Sequence, residues 1–155
     1  MTKIKWRFNF LAVTAITIVI LLGFNACSKE DPDYLFTFTA SLTGAQALPP
    51  NAEVSTGSCN VTYDSISNEL TYTIRWEDLT GAPTAINFQQ PLPGGLPGFT
   101  NVAVPAFPYE SSASTSGSVT IEQEHEADLF SNNFYLNINT SAHTEGEIRG
   151  QLTKY

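Results

Sequence analysis

Residues 70–76 read LTYTIRW, with Leu70, Tyr72, Ile74 and Trp76 alternating with Thr71, Thr73 and Arg75. A helix would scatter these residues around its axis. A strand sends successive side chains to opposite faces, so all four apolar groups land on one face and the polar ones on the other. The segment predicts a half-buried strand, one face on a core and one in water. FTFTASL repeats the pattern with Phe36, Phe38, Ala40 and Leu42, and CNVTY repeats it with Cys59, Val61 and Tyr63. Threonine on the outer positions fits, because β-branched residues suit a pleated surface.

Turn chemistry divides these runs. Asp64 and Asn68 flank a reversal in DSISNEL, which predicts a hairpin between strands 59–63 and 69–76. Gly81 and Pro83 close the next segment, and a shorter strand, TAINF, follows. Residues 89–116 are rich in Pro, Gly and Ser, and their five prolines exclude a central strand. They are expected to form one long loop. Regular structure resumes with GSVTIE, FYLNINT and EIRGQLT, while EQEHEADLF can form a single helical turn. Seven or eight short strands with frequent turns predict an all-β, antiparallel β-sandwich in one domain, residues 34–155.

The first 33 residues have a different character. Lys3, Lys5 and Arg7 precede an apolar run from Phe10 to Phe24. That run is short for a membrane span, which needs about 20 apolar residues, and it suits the apolar region of a signal peptide. Cys27 in LLGFNAC resembles the acylated cysteine of a bacterial lipoprotein, which makes residues 1–26 a lipoprotein signal peptide. Residues 27–33 then form an acidic tether, and SKEDPD resembles the export signal of some surface lipoproteins of Gram-negative bacteria. The expected location is the outer membrane, facing the cell surface or otherwise the periplasm, with the membrane as partner through the N-terminal lipid.

Charge narrows the other partners. The formal net charge is −8, and loss of Lys3, Lys5 and Arg7 with the signal peptide would take it to −11. Such a surface argues against nucleic acid and against electrostatic adhesion to anionic lipid. With Cys27 acylated, Cys59 would be alone, without a disulfide partner. Its alternation with Val61 and Tyr63 marks it as a buried, inert thiol.

The order of landmarks carries a resemblance. FTASLTGAQALPP, YDSISNELTYTIRWEDLTG and DLFSNNFYLNINTSAHTEGEIRGQL follow one another as in the CHRD domain family, over residues 34–153. The resemblance implies an antiparallel β-sandwich of immunoglobulin-like or Cu,Zn superoxide dismutase-like Greek-key character. It implies no known activity for the bacterial members. Many of those carry a His-x-His pair after the tryptophan hairpin and another His in YVNVHT-like text. Here TAINFQQP places Ile86 and Phe88 where the pair would be, and YLNINT has Asn139 in place of the last. Zinc or copper needs three or four ligands, so the remaining His143 makes no metal site. No metal or other cofactor is expected.

Two groups of residues are candidates for binding. In the 134–152 hairpin, Tyr135, Asn137 and Asn139 share a face with Glu147 and Arg149 across from them, and His143 sits in the turn. This is a ligand-facing patch, or else a ladder of cross-strand hydrogen bonds with one ion pair. In the long loop, Leu92, Leu96, Phe99, Phe107 and Tyr109 are spaced by Pro and Gly. Aromatics on a stiffened loop suit contact with an extracellular protein or a glycan, or they cover one open end of the sandwich. His125, flanked by acids, lacks the ligand spacing of a calcium loop. DSI at 64–66 resembles a short bacterial O-glycosylation acceptor at Ser65, a match frequent by chance. No catalytic constellation stands out, and the expected function is a non-enzymatic binding or structural module. The alternative is a metal-dependent, dismutase-like enzyme.

Overall fold

The computed structural model describes residues 34–90 and 101–155. The signal peptide, Cys27, the acidic tether, Leu92, Leu96 and Phe99 lie outside the described residues. Three long strands come first: β1 (Leu35–Thr43), β2 (Thr56–Asp64) and β3 (Glu69–Glu77). β4 (Pro83–Gln89), β5 (Asn101–Ala103) and β6 (Ala113–Thr120) follow, then the short helix α1 (Glu126–Phe130). β7 (Tyr135–Thr140), β8 (Ile148–Gln151) and β9 (Thr153–Lys154) complete the domain.

The expected all-β, antiparallel fold is present. The strands form one nine-stranded sheet in the order β5-β4-β7-β8-β1-β2-β3-β6, with β9 beside β1. Every pairing is antiparallel. The two layers of the sandwich are thus the two halves of a single sheet. Its edge strands β5 and β6 approach each other without pairing, which leaves the sheet nearly closed. The connections from β3 to β4 and from β6 to β7 cross between the halves.

Alternation places the core as the sequence demands. Phe38, Leu42, Ile74, Trp76, Phe88 and Leu136 are completely or almost completely buried between the halves. The rings of Tyr72 and Phe88, from opposite halves, lie 5.7 Å apart. The hairpin of β2 and β3 pairs from Thr56–Glu77 to Asp64–Glu69, and Asn68 takes the left-handed conformation (φ 58°) that its turn requires. At that turn Asp64 Oδ1 accepts from the amides of Ile66 and Ser67, while Ser65 Oγ donates to Tyr34 O at 3.3 Å.

Residues 89–116 are not one loop. Asn101–Ala103 add an edge strand to β4, and β6 begins at Ala113, inside the segment expected to be irregular. The first half of β6 was hidden because ASTS has no apolar alternation, while its second half falls within the expected strand GSVTIE. The odd residues of β6 are only half-buried, so little in the sequence distinguishes inside from outside. EQEHEADLF forms a 3-10 turn over Gln123–His125 and then α1, whose Phe130 meets Phe36 edge-on at 4.7 Å.

Candidate functional site at the far end of the sheet

Register divides the loops between two ends. Thr43 is level with Thr56, Thr56 with Glu77, Trp76 with Ala113 and Pro83 with Thr140. Segments 44–55, 78–82, 104–112 and 141–147 therefore leave the sheet at one end. Tyr34, the Asp64–Asn68 turn and α1 lie at the other. The length of β1 separates the two ends by about 27 Å, at roughly 3.4 Å per residue.

Glu147 fastens the far end. It is completely buried and accepts four hydrogen bonds: from Ser55 Oγ (2.5 Å), Thr80 N (2.8 Å), Thr80 Oγ1 (2.5 Å) and Thr140 Oγ1 (2.6 Å). Burial by itself pushes the carboxyl pKa upward. The donors from Ser55, Thr140 and Thr80 outweigh it and hold the group below its ordinary value. Asn51 Nδ2 adds a bond to Glu147 O at 2.9 Å. Ser55 Oγ also lies 2.9 Å from Asp78 O. Asp78 N donates to Ser112 Oγ at 2.9 Å, Leu79 N to Ser111 O at 3.0 Å and Trp76 Nε1 to Glu110 O at 2.9 Å. All four loops are joined in one hydrogen-bonded knot.

The expected polar ladder is only partly formed. Asn137 and Arg149 are level, and the Arg149 guanidinium stacks on the Tyr135 ring at 3.6 Å. Glu147 does not share that face. Its side chain turns into the end of the core, and no ion pair joins it to Arg149 among the described residues. The reason is positional: Glu147 precedes β8 and follows Gly146, whose backbone φ of +138° breaks the alternation.

Asn137 and Asn139 bind the protein's own turn. Asn137 Nδ2 donates to Glu145 O at 2.9 Å and Asn139 Nδ2 to Thr144 O at 2.5 Å. His143 is held by its amide to Thr140 Oγ1, and its Nε2 lies 3.3 Å from Glu53 Oε1. Between this turn and Pro49–Pro50 is a cleft of about 350 Å³, lined also by Asn51, Ala142, Thr144 and Glu145. Phe107 packs against the core and Tyr109 stands over it, ring centroids 5.6 Å apart, with Tyr109 78% exposed. The far end thus gathers Asn137, Asn139, His143, Glu147, Phe107 and Tyr109, and leaves Arg149 on the sheet.

Sequence reasoning missed Ser55, Thr80 and Thr140, because a hydroxyl donor to a buried carboxylate has no signature of its own. The exposed Val54 was also missed; it is 81% exposed beside the buried Ser55.

The two positions compared with a His-x-His pair lie in the core. Ile86 and Phe88 fill the core, whereas Ala85 and Asn87 point the other way, level with Asn139 and Asn137. Positions 85 and 87 are the ones that would share a face with residue 139. The protein's two histidines are at opposite ends, His143 among the far loops and His125 beside α1. Among the described residues no three His, Cys, Asp or Glu side chains converge as a metal site would require.

Neither the curated proteins nor the solved structures compared with this chain give a match. The family model for the CHRD domain matches residues 38–152, from the first fully buried phenylalanine of β1 to the buried Leu152 after β8, and the chain belongs to the CHRD domain family.

Proposed function

We propose that this protein is a lipid-anchored module of the cell envelope that binds a protein partner through the far end of its sheet and catalyses no reaction. Membership of the CHRD family supports a binding or structural module. The observation that carries the finer reading is the exposure of Tyr109 (78%) and Val54 (81%) on loops tied together by Glu147 and its neighbours. Aromatic and aliphatic side chains on a preorganised platform lose little conformational freedom on binding, which favours contact with a protein. Acylation at Cys27 would tether the domain through the chain that precedes Tyr34.

Three measurements test this. Metabolic labelling with an alkyne fatty acid should mark the protein, and Cys27→Ser should abolish the label and release the protein from membranes. Protease shaving of intact cells should remove the domain if it faces outward. A photo-crosslinking residue at position 109 or 54 should trap a discrete partner in cells, whereas one at Ile66, which is 73% exposed at the Tyr34 end, should not. Equal trapping at all three positions would defeat the reading. Near-stoichiometric copper or zinc in the purified protein would favour a metal-dependent enzyme instead.

A further inference from the structure

The outer face of β1, β2, β3 and β6 has an unusual chemistry. Its outward positions are alternate residues from 35 to 43, 56 to 64, 69 to 77 and 114 to 120, and all are Ser or Thr except Leu35, Asn60, Asp64, Glu69, Arg75 and Glu77. Register aligns them in rows across the strands. Thr37, Thr62, Thr71 and Ser118 form one row. Thr39, Asn60, Thr73 and Ser116 form the next. The rows repeat about every 7 Å along the strands and every 5 Å or so across them. Within these two rows the only side-chain hydrogen bond is Ser116 Oγ to Thr73 Oγ1, at 3.1 Å.

Strand propensity accounts for the threonines but not for the rest. Serine has no preference for strands, yet it holds positions 114, 116 and 118. Soluble surfaces run to roughly a quarter or more of charged residues, and an edge strand such as β6 is ordinarily protected by charge or proline. Here the outward charges stand towards the two ends of the face: Asp64 and Glu69 level with Thr120 at one, and Arg75 and Glu77 at the other, where Arg75 Nε and Nη2 donate to Glu77 Oε1 at 2.9 and 2.6 Å. On a chain of net charge −8 the two rows between them carry no charged residue.

This face also has a recess. A hollow of about 190 Å³ opens at the end of the rows, lined by Thr56, Gly57, Ser58, Arg75 and Glu77. Each exposed hydroxyl exchanges a bond to water for a bond to ligand with little gain, so such a face gains affinity only from a ligand that meets many hydroxyls together. That ligand must be neutral, repetitive and both donor and acceptor along its length. The face lacks the aromatic anchors of a protein interface and the cations of an anion site.

We propose that this face binds neutral polysaccharide chains, with successive sugar hydroxyls meeting the Ser/Thr rows and one sugar unit entering the Arg75–Glu77 recess. It is a second surface, on the side of the sheet, and goes beyond the protein-binding role given to the far end.

Co-sedimentation of the full chain in detergent with microcrystalline cellulose, insoluble β-1,3-glucan and chitin tests the assignment. At least one of the three is expected to retain the protein. The Thr71→Val/Thr73→Val variant keeps the β-branched shape and removes two central hydroxyls, and should lower retention about tenfold with an unchanged melting temperature. Arg75→Ala should lower it severalfold, and Tyr109→Ala should leave it unchanged. Failure of all three polysaccharides to retain the protein overturns the proposal. So does retention that survives the valine variant, retention that depends on Tyr109, or partition into growing ice in place of the glycans. Crosslinking at position 109 reports on the far end independently, so either surface can fail alone.

Discussion

Glu147 shows how one buried acid organises four loops. Its carboxylate is removed from water and compensated entirely by hydrogen bonds from Ser55, Thr80 and Thr140. Because its pKa is lower in the folded protein than in the unfolded chain, it stabilises the fold above its ordinary value of 4.5. That contribution is lost as pH falls from there through the depressed folded value. Glu147→Gln should lower unfolding stability at pH 7 by about 2 kcal/mol, the scale of hydrogen bonds to a charged group. Urea melts from pH 7 to 3 should also show a shallower acid decline in the variant than in the native protein. Cys59 is the opposite case, a group left uncharged. Burial pushes its thiol pKa up to about 12, and its side chain lies against the core. It should resist iodoacetamide in the native state at pH 8 and react fully in denaturant. Rapid native labelling, read by mass spectrometry, would contradict that environment.

The unit of β7, its turn and β8 explains why GEIRGQL is distinctive text. Gly146 combines a positive φ with closeness to Asn137, whose Oδ1 would lie 2.2 Å from an added Cβ. At Gly150 an added Cβ would come 2.6 Å from Ser41 O of the neighbouring strand. Both glycines let backbone and side chain approach closely, and Glu147 between them makes the knot. The motif is therefore architectural. Gly146→Ala should destabilise the domain by about 2 kcal/mol, through backbone strain and displacement of Asn137. Thermal unfolding would measure it, with Gly81→Ala, where an added Cβ would meet only Ser141 Oγ at 3.9 Å, as the mild comparison. The strands of this unit were legible from alternation, and so were Asn137 and Asn139 as a pair on one face. What they bind was not, because the Asn137 and Asn139 acceptors are carbonyls of Glu145 and Thr144, set by the turn's path. The expected sharing of one face by Glu147 and Arg149 failed for the same reason: alternation holds only while the chain remains extended.

At the scale of the whole molecule, the described residues are held by a core closed by a single sheet. Cys59 is free, and no disulfide joins the described residues. A reducing agent should leave the melting temperature unchanged, whereas a large drop would reveal a covalent staple. The same architecture separates the surfaces that carry the proposals. Strands about 27 Å long, at roughly 3.4 Å per residue, separate the Tyr34 end from the far loops, and the Ser/Thr face runs along their side. Anchorage, protein contact and glycan contact could then proceed together without competing for the same residues.

The sequence by itself determined the elements whose physics is local. Alternation in FTFTASL, CNVTY and LTYTIRW specified the strands and their buried faces, and Asp64 with Asn68 specified the hairpin. Only the tertiary structure decided that both halves belong to one nearly closed sheet, that Ile86 and Phe88 face inward, and that Glu147 leaves the Arg149 face for the core. Those outcomes depend on which distant strand supplies a partner, and hydrogen-bond donors such as Ser55, 92 positions away, leave no mark on the local pattern.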